Sequence, residues 1–319
     1  MTAEEVVKKL NNVLSNPYTA QVYFVLRKGS DLVIRLADIE NETEPEIRAM
    51  FADELTETIV HNSDLKVCSL SLADEHPNAI YQYDYESYPE ELDLFNNFNI
   101  KTAINSEKFN FKTDDLSELY GYIIYLGSME NGVVLFKKHY PISLIKRSSF
   151  LLGRKKDDER FTKISGNDII RLNGTAQLMR IDDEIYVLDV KMLERNMGFT
   201  ELIGKAAEES IQAISDLGIV EDMQVLKDTL DDISFVRKLS KIKKSSPIFT
   251  LNIDAATIIK FTKETSVLKG KFKYSESGSQ IRLDTKKSKK EFLLLMNDAF
   301  LISELTQQYY EASSKDNIS

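Results

Sequence analysis

Apolar positions recur at helical spacing from the start of the chain. Val6, Leu10, Val13 and Leu14 share one face of a helix predicted over residues 3–15, which Asn16-Pro17 ends. The run Gln21–Arg27 is β-branched and aromatic, Lys28-Gly29-Ser30-Asp31 has turn chemistry, and Leu32–Leu36 returns as a strand, so a hairpin is expected. Residues 44–60 predict a helix with Pro45 in its first turn and Ile47, Met50, Phe51, Leu55 and Ile59 as the buried stripe. Lys66–Leu72 and Ile80–Tyr85 alternate as strands do, and a short helix is expected near Glu90–Phe95. Gly121–Leu126 and Val133–Lys137 flank a turn containing Asn131-Gly132, a hairpin signal.

Beyond Ser148 the pattern becomes β-rich and then helical. Phe150–Leu152 leads into a charged turn over 153–160. Ile169–Leu172, Ala176–Ile181 and Glu184–Val190, separated by Asn173-Gly174 and Asp182-Asp183, read as an antiparallel meander. Helices are expected over 200–217, ended by Gly218, then 221–230, 232–243, 253–263 and 286–298. The last should turn Phe292, Leu293, Leu295 and Met296 inward. Thr250–Asn252 reads as extended, and Phe272–Tyr274 with Gln280–Leu283 as a small hairpin around Ser275–Ser279. The expected class is α+β, with mixed or antiparallel sheets and a helix-rich C-terminal half.

Charge adds a division that periodicity does not show. The protein is −10 overall, but residues 1–140 hold 24 acids against 12 bases, and residues 141–319 hold 27 against 29. The expectation is therefore an acidic α/β region, 1–140, suited to partner or subunit contacts, and a region 141–319 in which a meander precedes locally basic helices. Within Arg237–Lys290 fifteen bases face four acids, a net +11. A basic block in an acidic protein is the footprint of a docking polyanion. Its two ends carry the clusters expected to meet phosphates: Arg237, Lys238, Lys241, Lys243 and Lys244 on one helix, and Lys286, Lys287, Lys289 and Lys290 at the start of another. A helix N-terminus disfavours a lysine cluster unless an anion compensates it. The tyrosines among Asp84, Glu86, Glu90, Glu91 and Asp93 are expected to pack or meet protein rather than stack bases.

Other chemistry is sparse. His61, His76, His139 and the single Cys68 are scattered without metal-ligand or nucleophile spacing, and no phosphate-loop, dinucleotide or nucleophile-elbow motif occurs. No catalytic residue, metal or cofactor is assigned. One alternative remains: Asp168 with Asp189-Val190-Lys191 loosely matches the acid…acid-x-Lys set of metal-dependent nucleases, two carboxylates for Mg²⁺ and a lysine for water. The lone cysteine, the absence of a long apolar run and the acidic start of the chain lead to an expectation of a cytoplasmic protein.

The segment Leu295-Met296-Asn297-Asp298-Ala299-Phe300-Leu301-Ile302-Ser303-Glu304-Leu305-Thr306, with Tyr309 or Tyr310 and then Ser314-Lys315, resembles the C-terminal signature of the KwaB-type component of the Kiwa anti-phage family. Leu193–Phe199 and Arg237-Lys238-Leu239-Ser240-Lys241-Ile242 resemble its middle segments, so the likeness covers roughly 120–315. The resemblance implies a cytoplasmic DNA-binding subunit that acts with a small transmembrane partner at the inner membrane to defend bacteria against phage, without an established catalytic centre. A homodimer is the ordinary expectation for such a protein. Asn297, Asp298, Ser303, Glu304, Thr306 and Lys315 match the signature as fold-building positions. Three readings stay open: phosphate-directed DNA binding, a nuclease built on Asp168, Asp189 and Lys191, and a non-catalytic scaffold whose basic helices meet acidic residues of another subunit.

Overall fold

The computed structural model describes residues 1–15, 19–73, 79–140, 151–154, 161–164, 170–302 and 309–311. In chain order the first elements are α1 (Ala3–Ser15), β1 (Thr19–Lys28), β2 (Asp31–Leu36), α2 (Glu44–Leu55), β3 (Val67–Ser69) and β4 (Ile80–Gln82). There follow α3 (Glu90–Asn96), α4 (Ile100–Ala103), β5 (Leu119–Gly127), β6 (Gly132–Lys138), β7 (Leu151–Arg154), β8 (Phe161–Ile164), β9 (Leu178–Ile181) and β10 (Glu184–Val187). The helical part comprises α5 (Val190–Asn196), α6 (Phe199–Leu217), α7 (Gln224–Lys227), α8 (Ile233–Ser245), α9 (Pro247–Thr250) and α10 (Ala255–Glu264). The chain closes with β11 (Lys273–Tyr274), β12 (Ile281–Arg282), α11 (Lys286–Met296), β13 (Phe300–Ile302) and β14 (Tyr309–Glu311). The fold is α+β, as the sequence predicts.

The elements group into two compact units, each drawn from two stretches of chain. Unit one is Met1–Val67 with Glu90–Met192, and unit two is Cys68–Pro89 with Leu193–Ser319. Counting by unit gives 28 acids and 22 bases in unit one, net −6, and 23 acids and 19 bases in unit two, net −4. Neither unit is basic as a whole, so attraction for a polyanion has to come from a local patch.

Unit one is built on antiparallel strands in the order β2-β1-β5-β6-β9-β10. Helix α1 starts with a capping box: the Glu5 amide donates to Thr2 Oγ1 (3.3 Å) and the Thr2 amide to Glu5 Oε2 (2.8 Å). It packs over β5, β6 and β9 through Val6, Leu10 and Val13, all buried. The expected β1–β2 hairpin is present, with Lys28 paired to Asp31 across the turn. Helix α2 is shorter than its periodicity suggests. Its last turn widens to π geometry at Thr56–Val60, yet Phe51, Leu55 and Ile59 stay buried, while Ile47 and Met50 are half-buried. The helix stop at Asn16-Pro17 and the charged turn at 155–160 lie outside the described residues.

Several expectations are corrected. Ile170–Leu172 forms no strand, and Ile169 lies outside the described residues. Gly174 is no hairpin turn either: it lies against α2, where a Cβ would stand 2.5 Å from the Met50 carbonyl oxygen. The Gln177 amide donates to the Phe136 carbonyl and Lys137 Nζ to that of Thr175, and β9 then pairs along β6 with Val133 opposite Ile181. The meander is thus a two-stranded hairpin, turned at Asp182 (φ 54), that extends the β5–β6 hairpin. The β5–β6 hairpin itself is the one expected around Asn131-Gly132. Gly127 faces Gly132 and residues 128–131 form the loop. Ile80–Tyr85 is strand only to Gln82, and Lys66–Leu72 only over Val67–Ser69 before a 3₁₀ turn.

Unit two centres on α6 and α8, packed along each other. Ala207 and Ser210 are buried on α6, and Ser210 Oγ accepts the Lys243 amide at 3.0 Å, so small side chains let the two backbones come close. Gly218 (φ 68) caps α6 in the left-handed conformation. The expected extended segment at 250–252 is instead the end of α9 and a turn, because Ser246 caps the Ile248 amide and opens a helix with Pro247 at its start. The region 221–230 is helical only over Gln224–Lys227. Phe292, Leu293, Leu295 and Met296 are buried, the inward face expected for α11.

Two tests follow for unit one. Asp114 is buried between Lys28 Nζ (2.6 Å) and Arg35 Nε (3.3 Å) and accepts the Asn110 amide (3.0 Å). Burial alone would raise its pKa, but the Lys28 hydrogen bond, the Asn110 amide and the two cations outweigh it and hold the carboxyl below its ordinary value. The stability so gained is present above the unfolded-state pKa and is lost as pH falls through the lower folded-state value. Urea midpoints measured from pH 6 down to pH 3 should fall for the wild type and fall less for Asp114→Asn. The Tyr186 hydroxyl is fully buried and meets no hydrogen-bond partner among the described residues. Tyr186→Phe should therefore raise the unfolding free energy, by about 1 kcal/mol, and a lower urea midpoint would contradict that accounting.

Candidate nucleic-acid interface

The first basic cluster sits on α8, and the geometry of unit two decides its fate. Asp232 opens the helix by accepting the Ser234 amide at 3.1 Å. Residues Phe235–Ser240 are all buried, because α6 packs on one flank and the 3₁₀ turn Leu70–Leu72 on another. Arg237, 2% exposed, is ion-paired with Glu194. Its carbonyl oxygen accepts hydrogen bonds from the Tyr85 hydroxyl (3.2 Å) and Ser240 Oγ (2.8 Å). Lys238 is 6% exposed. Lys241 is ion-paired with Asp84 and stands 6.0 Å from the centre of the Tyr85 ring. Nearer the surface Lys243 meets Glu209 at 3.1 Å and Lys244 meets Glu86 at 3.7 Å. The expectation that these five face phosphates is corrected for Arg237 and Lys238, which packing removes from solvent, and Lys241 is half-buried and held by the carboxylate of Asp84, as Arg237 is by that of Glu194. Lys243 and Lys244 reach the surface with acids already beside them.

The tyrosines expected to pack do so within unit two. Tyr83 stacks on Tyr88 at 5.0 Å, and Tyr85 meets Phe199 edge-on at 5.2 Å. Burial raises the Tyr85 hydroxyl well above its ordinary pKa, with the Asp84 charge adding to it and Ser240 and Arg237 opposing. A neutral phenol donating to the Arg237 carbonyl is the result.

The second cluster is differently placed. Thr285 caps α11 in a capping box with Ser288: Thr285 Oγ1 accepts the Ser288 amide (3.0 Å) and Ser288 Oγ the Thr285 amide (3.1 Å). The box buries Ser288 and turns Lys286, Lys287 and Lys290 to the exposed side, with Lys289 half-buried. Lys286 reaches Asp232 at 3.0 Å and stands 5.7 Å from the Phe235 ring centre. That ion pair helps to hold the Asp232 carboxyl below its usual value against the opposing effect of burial. Among the described residues Lys287, Lys289 and Lys290 have no ion-pair partner. Three cations therefore gather at the positive end of a helix dipole. Further along, Glu291 pairs with Lys271 at 2.8 Å.

Of the nuclease set, Asp189 Oδ1 accepts the Met192 amide at 3.0 Å and so caps the start of α5. Lys191 is exposed on that helix, and Asp168 lies outside the described residues. Among the described residues no three His, Cys, Asp or Glu side chains gather as a metal site. Asn297 and Asp298 end α11: Asn297 Nδ2 donates to the Leu293 carbonyl (2.9 Å), and Asp298 turns the chain at φ 49. Ser303, Glu304, Thr306 and Lys315 lie outside the described residues.

Lys260 and Lys263 fall between the two basic clusters of the sequence. Both line a groove beside the Ser277-Gly278-Ser279 turn. Their signal was the i, i+3 spacing on α10, which puts the two side chains on one side of the helix.

The family model described as Kiwa protein KwaB-like matches residues 116–306. The Kiwa protein KwaB of Escherichia coli O55:H7 (strain RM12579 / EPEC) is 30% identical over 320 residues, an alignment that spans 100% of this chain and 99% of that protein. No solved structure gives a significant match.

If α8 is a structural helix, its substitutions should read out as stability. Arg237→Ala removes a buried cation and its packing from beside Glu194, and should lower the unfolding free energy by about 3 kcal/mol. Lys243→Ala, at a half-exposed pair, should change it by under about 1 kcal/mol. Urea denaturation followed by circular dichroism measures both, and equal effects would remove the distinction between the buried and exposed ends of α8.

Proposed function

Because the chain belongs to the Kiwa KwaB-like family, and is thereby a component of anti-phage defence, we propose that it binds DNA through phosphate contacts from the first turn of α11. The observation that carries this reading is Lys287, Lys289 and Lys290 gathered at a helix N-terminus with no ion pair within 4 Å among the described residues, beside Lys286 on Asp232, whose charge also acts on Lys290. A cation cluster at the positive end of a helix raises the energy of the free protein, and a bound phosphate relieves it. Lysine is a point charge that fixes no base edge, so the binding is largely independent of sequence. Lys243 and Lys244 are secondary contacts, because each must leave its carboxylate to meet a phosphate.

In this reading the protein works with a small membrane-embedded Kiwa partner on the cytoplasmic side of the inner membrane, as a homodimer. No helix among the described residues is long and apolar enough to cross a membrane, and in the proposal the partner supplies the membrane attachment. The acidic balance of residues 1–140, 24 acids against 12 bases, supports the part of that region in unit one as the partner-facing one, while Asp84 and Glu86 of unit two stand beside α8 instead.

Four phosphate contacts give a slope of about −3 to −4 for the logarithm of affinity against that of salt concentration. Electrophoretic shifts in a salt series should show it. The triple variant Lys287→Glu, Lys289→Glu, Lys290→Glu should flatten the slope by about three and release DNA at low salt. Wild-type retention by the triple variant sinks the assignment to α11, and loss of retention in Lys243→Glu with Lys244→Glu alone would move it to the end of α8.

A further inference from the structure

In unit two the loop between β11 and β12 leans over α10 and leaves a groove of about 630 Å³. Ala255, Ala256 and Ile259 are its apolar lining, and Lys260, Lys263 and the turn Ser277-Gly278-Ser279 line it as well. That volume lies within the roughly 300–1,000 Å³ of small-molecule sites.

Lys263 is fixed in place. Its Nζ donates to the Gly278 carbonyl at 2.7 Å and lies 4.8 Å from the Tyr274 ring centre. Gly278 has φ +70, so the turn needs glycine for its backbone, and a Cβ there would stand 3.2 Å from Lys263 Nζ. Ser275, Ser277 and Ser279 form a chain of hydroxyls, with oxygen separations of 3.1 and 2.7 Å. Lys260 is exposed and has no partner among the described residues. Glu264 is the one acid lining the groove, which is therefore +1. The start of α10 is not the anion seat, since Asp254 already caps the Thr257 amide.

We propose that this groove binds a phosphomonoester. Lys260 supplies the mobile charge and Lys263 the fixed one. The Ser277 and Ser279 hydroxyls turn their protons from each other to the phosphate oxygens, and the carbon skeleton next to the phosphate lies on Ala255, Ala256 and Ile259. A phosphate ester with a terminal dianion suits two ammonium groups and rotatable hydroxyls better than the singly charged diester of an internal nucleotide does. The group can belong to a free mononucleotide or to the 5′ end of a DNA strand. Either source is independent of the DNA contacts proposed for α11.

The test uses the full-length protein with inorganic phosphate, deoxyadenosine monophosphate, and one oligonucleotide made with a 5′-phosphate and with a 5′-hydroxyl. Phosphate and the mononucleotide should raise the melting temperature of the wild type and of the exposed-surface control Lys205→Ala, but not of Lys260→Ala. If the DNA end is the source, the phosphorylated oligonucleotide binds about tenfold tighter than its twin, and Lys260→Ala removes the gap. If the mononucleotide is the source, the twins bind alike while the melting shift persists. Charge reversal on α11 should weaken both oligonucleotides equally and leave the shift untouched. No shift and no gap, or either one unchanged in Lys260→Ala, overturns the proposal.

Discussion

The ion pairs along α8 are the constraint on which unit two depends. A helix carrying Arg237, Lys238, Lys241, Lys243 and Lys244 packs against α6 and the Leu70–Leu72 turn only if its charges are answered where they are buried. Glu194 answers Arg237 and Asp84 answers Lys241, while Glu209 and Glu86 stand by the outer lysines. Such pairs add little net stability over apolar packing, yet losing one partner leaves an uncompensated charge inside. They therefore fix which segments must lie next to α8 more than they strengthen the unit. Two of the stretches on which the family likeness was first read, 193–199 and 237–242, are joined by the pair between Glu194 and Arg237.

This arrangement changes the meaning of the charge map. Along the sequence the protein divides into a −12 region and a +2 region, whereas the two compact units are −6 and −4. Residues 68–89 contain four acids and no base, and they belong to unit two, where Asp84 and Glu86 lie beside the lysines of α8. Much of the apparent basic footprint is thus consumed within the chain, and the cations left without an ion pair among the described residues include Lys260, Lys287, Lys289 and Lys290. The scaffold alternative set acidic residues of another subunit against the basic helices; the acids beside α8 belong to the same chain.

Local signals were legible and distant ones were not. Helix α1, the β1–β2 hairpin and α6 with its Gly218 cap follow from side-chain spacing and turn residues within about one element's length. The capping box of α11 is equally local. Ile170–Leu172 misled because a three-residue apolar run says nothing about whether a neighbouring strand edge is open, and β9 took the edge of β6 instead. For the candidate site, the lysines of α8 and α11 look alike in sequence. What separates them is the identity of residues 34 to 158 positions away, which no periodicity encodes. The groove beside α10 was missed for the same reason, since a serine-rich turn acquires meaning only once Lys260 and Lys263 lie next to it.

The discontinuity of the units also sets an order of assembly on the ribosome. Unit one has all its residues once Met192 has been made. By then residues 68–89 have long since been synthesised, but Asp84 has no cation until Lys241 follows it 157 positions later. The segment must therefore be kept from false partners while the helical half is being made. A run of tyrosines spaced by acids suits that interval: its aromatic rings are ready to pack, and its charge keeps it in water until α8 arrives.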